Sequence, residues 1–276
     1  MAFKRWPGEP NLKARRKRLG GLLTALLLAP LCSWAQAEVP RTAAPEVQAR
    51  TALGDPLAPQ PDLAARFRVS FSAEGKPPQS QTWQLNRSAT EIAWIKGHGN
   101  GIGGTGKGIE EIWRRDRSGI RLERVLRADR HCVTYSAGEL RTLGVNLAWR
   151  DLGSLFSEAD LAQLKRIPPR PGSQSRLPGA AEHYRGSLAN EQVDLVWDPV
   201  ARLPVHLVRQ SKTGRVVYQR LAAWPDAPAD WPSPGAGTAD FQRLDAADFG
   251  DMDYHPVVRQ EQARDERAGW RKPHAH

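Results

Sequence analysis

The sequence predicts a mostly β protein with minor α content (an α+β fold), built as a curved antiparallel sheet, or half-barrel, of about 9–11 strands with a mid-chain helix covering the concave face. One observation behind this is a meander in residues 192–224, where three strand-like runs follow one another through short turns. Turns this short make neighbouring strands antiparallel. A second observation is strict alternation over residues 66–72, which places Phe67, Val69 and Phe71 on one face.

The other strands are predicted from runs rich in Val, Ile, Leu, Tyr and Trp that are bounded by turn-forming residues. Residues 181–186 form the strand that leads into the closing meander. The runs that complete the prediction are 82–85, 91–96, 109–115, 120–127, 131–136, 193–197, 203–210 and 215–221.

The predicted curvature and cover come from two further patterns. In the run 193–197, Val196 is apolar on the face that a solvated sheet would leave polar, so that face is covered or lines a cavity. Leucines at three- and four-residue spacing in 152–164 predict a helical segment, with a helix beginning at Ser157. The proline-rich stretch 167–172 ends it.

Four stretches organise the chain. A basic region, an apolar core and a small-x-small site ending at Ala37 predict a signal peptide over 1–37, cleaved after Ala37, and an exported, periplasmic protein. A retained membrane anchor is the alternative for this segment, and both Sec and twin-arginine export stay open. A flexible Ala/Pro-rich lead (38–62), the antiparallel β half-barrel domain (63–224), and a Pro/Gly linker with an acidic, His-ended tail (225–276) follow. The tail is expected to be extended or partly disordered, with one turn of helix near 257–267.

Charge argues against nucleic acid as a partner. The whole chain has 40 basic and 30 acidic residues, a formal charge of +10. Removing residues 1–37, which hold seven basic and one acidic residue, lowers this to +4. The strongest basic cluster therefore leaves with the signal peptide, and the mature chain is not expected to bind nucleic acid or to be an integral membrane protein.

Motifs for catalysis are weak. Cys32 lies in the signal peptide, so Cys132 has no internal disulfide partner. His131 and Cys132 are neighbours on a predicted strand and point to opposite faces, so they do not form a nucleophile and base pair. No GxSxG, HExxH or CxxC motif occurs. We therefore expect a protein that is not an enzyme and needs no cofactor.

The glycine-rich stretch 97–108 imitates nucleotide-binding motifs. It contains both a GxxxxGK and a GxGxxG pattern, but these require a helix after the glycines, and residues 109–113 are predicted to form a strand. The stretch is interpreted as a mobile flap between two strands, carried by Gly97, Gly101, Gly103 and Gly106.

Two other groups of residues are candidate sites. An arginine-rich hairpin predicts either a solvated outer face with cross-strand ion pairs or a basic patch that contacts anionic lipid headgroups or an acidic partner; its residues are Arg114, Arg121, Arg124 and Arg127. Three tail histidines, near Asp248, Asp251 and Asp253, could ligate a divalent metal although their spacing matches no defined metal loop; they are His255, His274 and His276.

The order of elements resembles the periplasmic lipoprotein-carrier superfamily of LolA- and LolB-like half-barrels. The likeness is a pattern over 63–224, and its closing part is the clearest: 193–198, then 203–208, then 214–218. The resemblance implies an apolar cavity under a helical lid that carries acyl chains or other lipophilic ligands. The glycine-rich loop and the acidic tail depart from the family pattern.

Three functions follow as alternatives. The first is a non-enzymatic envelope protein that binds or carries a lipid or acyl ligand. The second is an interaction or scaffold module for an envelope protein, or a metal-binding accessory protein, and the third is an enzyme of unrecognised type. For the first, the cavity lining would come from alternate strand positions, namely Phe67, Val69, Phe71, Trp83, Trp94, Trp113, Leu195 and Trp197.

Overall fold

A computed structural model describes residues 60–97, 108–145, 148–168 and 180–270. These residues form one large, open, curved sheet of 12 strands with few helices. Its spatial order is β12-β6-β5-β4-β3-β2-β1-β11-β10-β9-β8-β7. The strands are β1 (Leu63–Ala73), β2 (Gln79–Arg87), β3 (Glu91–Lys96), β4 (Ile109–Asp116), β5 (Gly119–Leu126), β6 (His131–Tyr135), β7 (Lys165–Ile167), β8 (Glu182–Leu188), β9 (Glu191–Asp198), β10 (Leu203–Gln210), β11 (Gly214–Trp224) and β12 (Gln242–Asp245).

The mostly β class is confirmed, but the sheet is not wholly antiparallel. The C-terminal strand β12 pairs in parallel with β6, with Gln242 opposite His131 and Asp245 opposite Thr134. The two edge strands, β7 and β12, are the ones that the sequence pattern missed. Both are short and mostly polar, with three and four residues, so neither produces a readable alternation.

The two faces of the sheet are buried to different extents. We call the face that bears Phe67, Trp94 and Leu195 the inner face, and it carries one continuous core that runs from β1 to β12. The opposite, outer face carries a smaller cluster under part of the C-terminal segment, consisting of Ala93, Ile112, Val125 and Cys132 with Phe241 packed against them.

Three short helices follow β6 and contribute to the inner core: α1 (Ala137–Thr142), α2 (Trp149–Leu152) and α3 (Glu158–Leu161). Ser136 and Glu139 form a capping box that starts α1. The predicted start at Ser157 is confirmed, because its side chain accepts a hydrogen bond from the Asp160 backbone N–H at the head of α3.

The C-terminal segment is more ordered than the prediction of an extended or partly disordered tail with one turn of helix near 257–267. After β12 come a 3-10 helix (Ala246–Gly250) and α4 (Pro256–Arg267). Pro256 occupies the first turn of α4, where its missing N–H costs nothing. The helix ends in a Schellman motif at Gly269, whose φ of +74° suits glycine. This segment therefore adds a strand to the sheet and a helix to the inner core.

The predicted signal peptide (1–37) and all but the last three residues of the predicted lead (38–62) lie outside the described residues. Within the described ranges, none of the helices has the length and apolar composition that crossing a bilayer requires.

Candidate functional site

All eight residues predicted to line a cavity lie on the inner face and in its core. Phe71 is partly buried, and the other seven side chains are buried. The strand registers place these side chains on the same face. Phe67 on β1 is opposite Trp83 on β2, and Trp83 is in turn opposite Lys96 on β3, two residues from Trp94. The alternation of apolar residues along β1 and β9 thus predicted this face correctly.

Aromatic rings form a continuous row across β3, β2, β1 and β11, which we call the aromatic row. Trp83 is its centre, with ring centroids 6.1 Å from Trp94 and 5.7 Å from Tyr218 in edge-to-face geometry. Phe67 lies 6.0 Å from Trp94. Such edge-to-face contacts are favourable beyond the area they bury, because ring edges are positive and ring faces negative. The row gives the inner face a broad apolar strip.

The segment with α1–α3 lies against the inner face near this row. The indole N–H of Trp94 donates to the Leu152 carbonyl at 2.8 Å, and Arg87 Nη1 donates to the Gly153 carbonyl at 2.9 Å. Apolar side chains of the segment join the same core, namely Leu140, Val145, Leu152, Leu155, Phe156, Leu161 and Leu164. The segment is held both by hydrophobic packing and by hydrogen bonds from the sheet to its backbone.

Arg87 is the main polar anchor of this cover. Besides Gly153, it donates to the Pro61 carbonyl at 3.0 Å and to the Ala201 carbonyl at 2.7 Å. It therefore joins the start of the domain, the helical segment and the β9–β10 turn. Burial and the nearby charge of Arg202 lower the pKa of Arg87 to about 10, so the guanidinium stays charged at neutral pH.

A buried charged cluster lies on the inner face beside the aromatic row. Arg124 on β5 is its centre, and Arg124 Nη1 donates to Glu261 at 3.0 Å and to Asp265 at 2.6 Å, both on α4. Lys96 Nζ lies 2.7 Å from Glu111 Oε2 on the neighbouring strand. Two further members complete the cluster: Tyr135, which donates to Asp265 at 3.0 Å, and Arg264, 2.8 Å from Glu261.

The two acids on either side of Arg124 respond differently to burial. Burial opposes ionisation of Glu111, but Lys96 and Arg124 outweigh it and hold the pKa of Glu111 below its usual value. For Asp265 the burial effect wins over the attraction of Arg124, and the pKa of Asp265 is raised. The pKa of Asp265 is therefore shifted in the opposite direction to that of Glu111.

Trp270 closes the cluster from the C-terminal side. The Schellman motif at the end of α4 turns the chain so that Trp270 lies over Arg124, with 4.6 Å from the guanidinium carbon to the ring centroid. Trp270 also meets Trp113 at 6.4 Å and Tyr135 at 5.7 Å. Cation–π contact is an effective way to shield a buried guanidinium.

The arginine-rich hairpin does not present a uniform basic patch, and the assignment of Arg124 to such a patch is wrong. Arg124 shares the inner face with Leu122 and is fully buried. Arg114 bridges Glu91 and Glu123 across neighbouring strands, at 2.9 and 2.8 Å. The other two arginines also have acidic partners, Arg121 at 4.0 Å from Asp116, and Arg127 in contact with Glu110.

The cysteine and histidine candidates are separated by the strand geometry. Cys132 is buried in the outer cluster, where burial raises the pKa of its thiol, while His131 lies on the other face of β6. His255 contacts the ring of His131, with centroids 5.4 Å apart. Within the described ranges no group of His, Cys, Asp or Glu is arranged to hold a metal ion; His274 and His276 fall outside those ranges.

The glycine-rich stretch joins β3 to β4, so a strand follows it, as predicted, and not the helix that a phosphate loop requires. Gly97 pairs with the Thr82 carbonyl at 3.0 Å. A side chain at Gly108 would meet the Lys96 carbonyl at 2.8 Å, so glycine is needed where the two strands converge. Gly101, Gly103 and Gly106 of the predicted flap lie outside the described residues.

Sequence reasoning missed the charged cluster because its members look like surface residues. Glu261 and Asp265 occupy the buried stripe of α4 together with Val257 and Val258, and two acids in that stripe hide the helical period of apolar residues. Pro256 and Gly269 are the signals that could have extended the expected single turn to the full helix, since proline is common at helix starts and glycine just after helix ends.

Comparison with known proteins gives no family. No family model and no curated protein matches the chain. Among solved structures, PNGF-II, determined in space group C2, matches over 70% of this chain and 33% of its own at 11% identity and a TM-score of 0.35, so the chain spans about a third of that protein. A LolA superfamily protein from Nitrosomonas europaea matches over 62% of this chain and 89% of its own, at 10% identity and a TM-score of 0.25. Both TM-scores are too low to carry an argument about relationship or function.

Proposed function

We propose that this protein is an exported, non-enzymatic binding protein that holds the hydrocarbon part of a lipid or acyl ligand against the inner face of a half-barrel sheet. The observation that carries the proposal is the aromatic row, a strip of buried rings on one face of an open, curved sheet that is covered by short helices. Apolar strips lined by aromatic rings, with a few polar groups beside them, are typical of lipophilic ligand sites.

The cover is suited to local opening. Helices α1, α2 and α3 have six, four and four residues, far below the about 12–15 residues at which a helix becomes stable on its own. Their position therefore depends on packing against the sheet and on anchors such as those from Trp94 and Arg87. Leu155, between α2 and α3, adopts a φ of +61°, a conformation that costs energy for a residue other than glycine. A segment of this kind can separate from the sheet at lower cost than a strand can.

Quenching of tryptophan fluorescence by a brominated fatty acid tests the proposal, because bromine quenches indoles that it contacts. We expect dibromostearate to quench the chain saturably, and stearate to compete. Replacing Trp83 and Trp94 by Phe should remove most of the quenching. The matched control replaces Trp224 and Trp231, which pack against each other on the outer side with ring centroids 5.3 Å apart. This replacement should leave the quenching unchanged. Quenching that does not saturate would contradict the proposal. So would quenching that is reduced by replacing Trp224 and Trp231 but not by replacing Trp83 and Trp94.

Export is the second part of the proposal and rests on the sequence of residues 1–37. N-terminal sequencing of the chain recovered from the periplasm of a bacterial host tests it. We expect the mature protein to begin at Glu38, and an uncleaved chain in the cytoplasmic fraction would refute export.

A further inference from the structure

Buried N–H groups in the charged cluster lack acceptors. Arg124 Nε, Arg124 Nη2 and Trp113 Nε1 have no hydrogen-bond partner within the described part of the chain. Arg124 Nε at least faces Glu111 Oε1 at 3.5 Å, which is too long for a good hydrogen bond. Arg124 is fully buried and Trp113 is 3% exposed, so bulk water does not satisfy these donors. A buried donor without an acceptor is unfavourable, and proteins keep few of them.

The two side chains lie close to each other. Trp113 is directly opposite Leu122 in the β4–β5 register, which places it diagonally next to Arg124 on the same face. Both contact the ring of Trp270, Trp113 at 6.4 Å and Arg124 at 4.6 Å. The donors that lack acceptors therefore belong to one small region of the inner face.

This region adjoins the aromatic row. Glu111, the neighbour of Arg124, is directly opposite Trp94 in the β3–β4 register. Lys96 Nζ lies 5.0 Å from the ring of Trp83. A charged end and an apolar strip thus meet on one face, which is the arrangement that an amphiphile with a polar head and a hydrocarbon chain requires.

On the basis of the proposed function, we infer that the ligand is a single-chain amphiphile with an anionic oxygen headgroup. Its headgroup oxygens accept hydrogen bonds from Arg124 Nη2 and Trp113 Nε1, and its chain lies along the aromatic row. A guanidinium presents several N–H groups in a planar fork, so Arg124 can keep its contacts with α4 through Nη1 and bind a second anion through Nη2.

The cluster can accommodate the added negative charge. It now balances three cations against three anions; these are Lys96, Arg124 and Arg264 with Glu111, Glu261 and Asp265. A bound anion would leave one excess negative charge. Asp265 faces Arg124, Tyr135 and Glu261, and because burial raises its pKa, Asp265 can take up a proton that offsets this charge as the ligand enters.

Calorimetric titration with three ligands that share a twelve-carbon chain tests this inference: laurate, dodecyl phosphate and 1-dodecanol. We expect an anionic ligand to bind at least about tenfold more tightly than the alcohol, the gain typical of one charge-assisted hydrogen bond. The preference between laurate and dodecyl phosphate distinguishes a carboxylate from a phosphate headgroup, and either result supports the inference.

Variants assign the effect to the cluster. Trp113→Phe removes one donor and should reduce the preference for the anion over the alcohol several-fold. Trp231→Phe is the matched control, because Trp231 Nε1 is also buried with no hydrogen-bond partner among the described residues but lies against Arg66 and Trp224. Asp265→Asn imitates the protonated acid and should strengthen anion binding several-fold. Circular dichroism confirms that each variant is folded.

Three outcomes would overturn this inference, and they bear differently on the proposed function. Equal affinity for the alcohol and both anions would overturn the headgroup site while supporting a lipophile-binding inner face. Binding of none of the three ligands would overturn both. An anion preference that Trp113→Phe and Asp265→Asn leave unchanged would also overturn the headgroup site, since the discrimination would then arise elsewhere.

Discussion

Arg124 is the residue whose environment differs most from what its sequence neighbours suggest. It belongs to a run of arginines, yet it is fully buried and contacts Glu261 and Asp265 on a helix more than 130 residues away. The separation |i−j| is 137 for Glu261, so only the tertiary fold brings the two charges together. Removing one partner of a buried ion pair is strongly destabilising, because the remaining charge is then buried without compensation.

Replacing Arg124 by Met should destabilise the protein by about 3–5 kcal/mol, because buried Asp265 would lose its cation, and Glu111 and Glu261 would keep only Lys96 and Arg264, respectively. Urea unfolding at neutral pH, followed by circular dichroism, measures the change. Arg121→Met is the matched control on the same strand. Arg121 is 53% exposed and 4.0 Å from its acidic partner, so its replacement should change the free energy of unfolding by less than about 0.5 kcal/mol. Similar losses in the two variants would show that the cluster is not buried in solution.

Glu111 gives a pH dependence of known sign. Its pKa in the folded state lies below the usual value of 4.5, so its ionised form stabilises the fold above that pH, and this contribution is lost as the pH falls through the lowered pKa. The free-energy difference between wild type and Glu111→Gln should therefore shrink as the pH falls below the usual pKa of 4.5 and through the lowered pKa of Glu111. Urea unfolding over this range measures it. A difference in the free energy of unfolding that does not change with pH would contradict the lowered pKa of Glu111.

At the scale of elements, the strands were predictable and the helices less so. Runs such as 91–96 match strand β3 in full, because alternating apolar residues and turns at both ends determine a strand locally. Strands β7 and β12 were not predicted, and α4 was expected only as one turn of helix near 257–267, since the burial of all three depends on partners that are distant in sequence. In α4 the buried stripe includes two acids, Glu261 and Asp265, whose charges are compensated by Arg124.

The α1–α3 segment packs so closely against the sheet at Gly153 that a side chain there would clash with Arg87. A Cβ at Gly153 would lie 2.6 Å from Arg87 Cδ and 3.3 Å from Ile92 Cδ1, so Gly153→Ala should displace the segment from the sheet. We expect faster amide hydrogen exchange over residues 148–157 and little change in β1–β5. Gly138→Ala in α1 is the control, because its nearest contact is 3.6 Å and alanine favours helix. Equal exchange in both variants would mean that the Arg87 contacts do not hold the cover.

At the scale of the whole molecule, one curved sheet supports two different surfaces. Its inner face combines the aromatic row with the charged cluster, and the C-terminal segment protects part of both faces by supplying α4 inside and Phe241 outside. The inner aromatic residues were predictable from alternation alone. The charged cluster was not, because a sequence does not show which charged residues of a hairpin turn towards a helix that forms later in the chain.

Native mass spectrometry of the full chain, expressed in a bacterial host and purified without detergent, tests the central claim most directly. We predict a folded species that carries one amphiphile per chain, released by organic extraction and identified as an anionic lipid or fatty acid. A bare protein mass, together with no uptake of fatty acid after incubation with lipid, would contradict the claim that the inner face binds a lipophilic ligand.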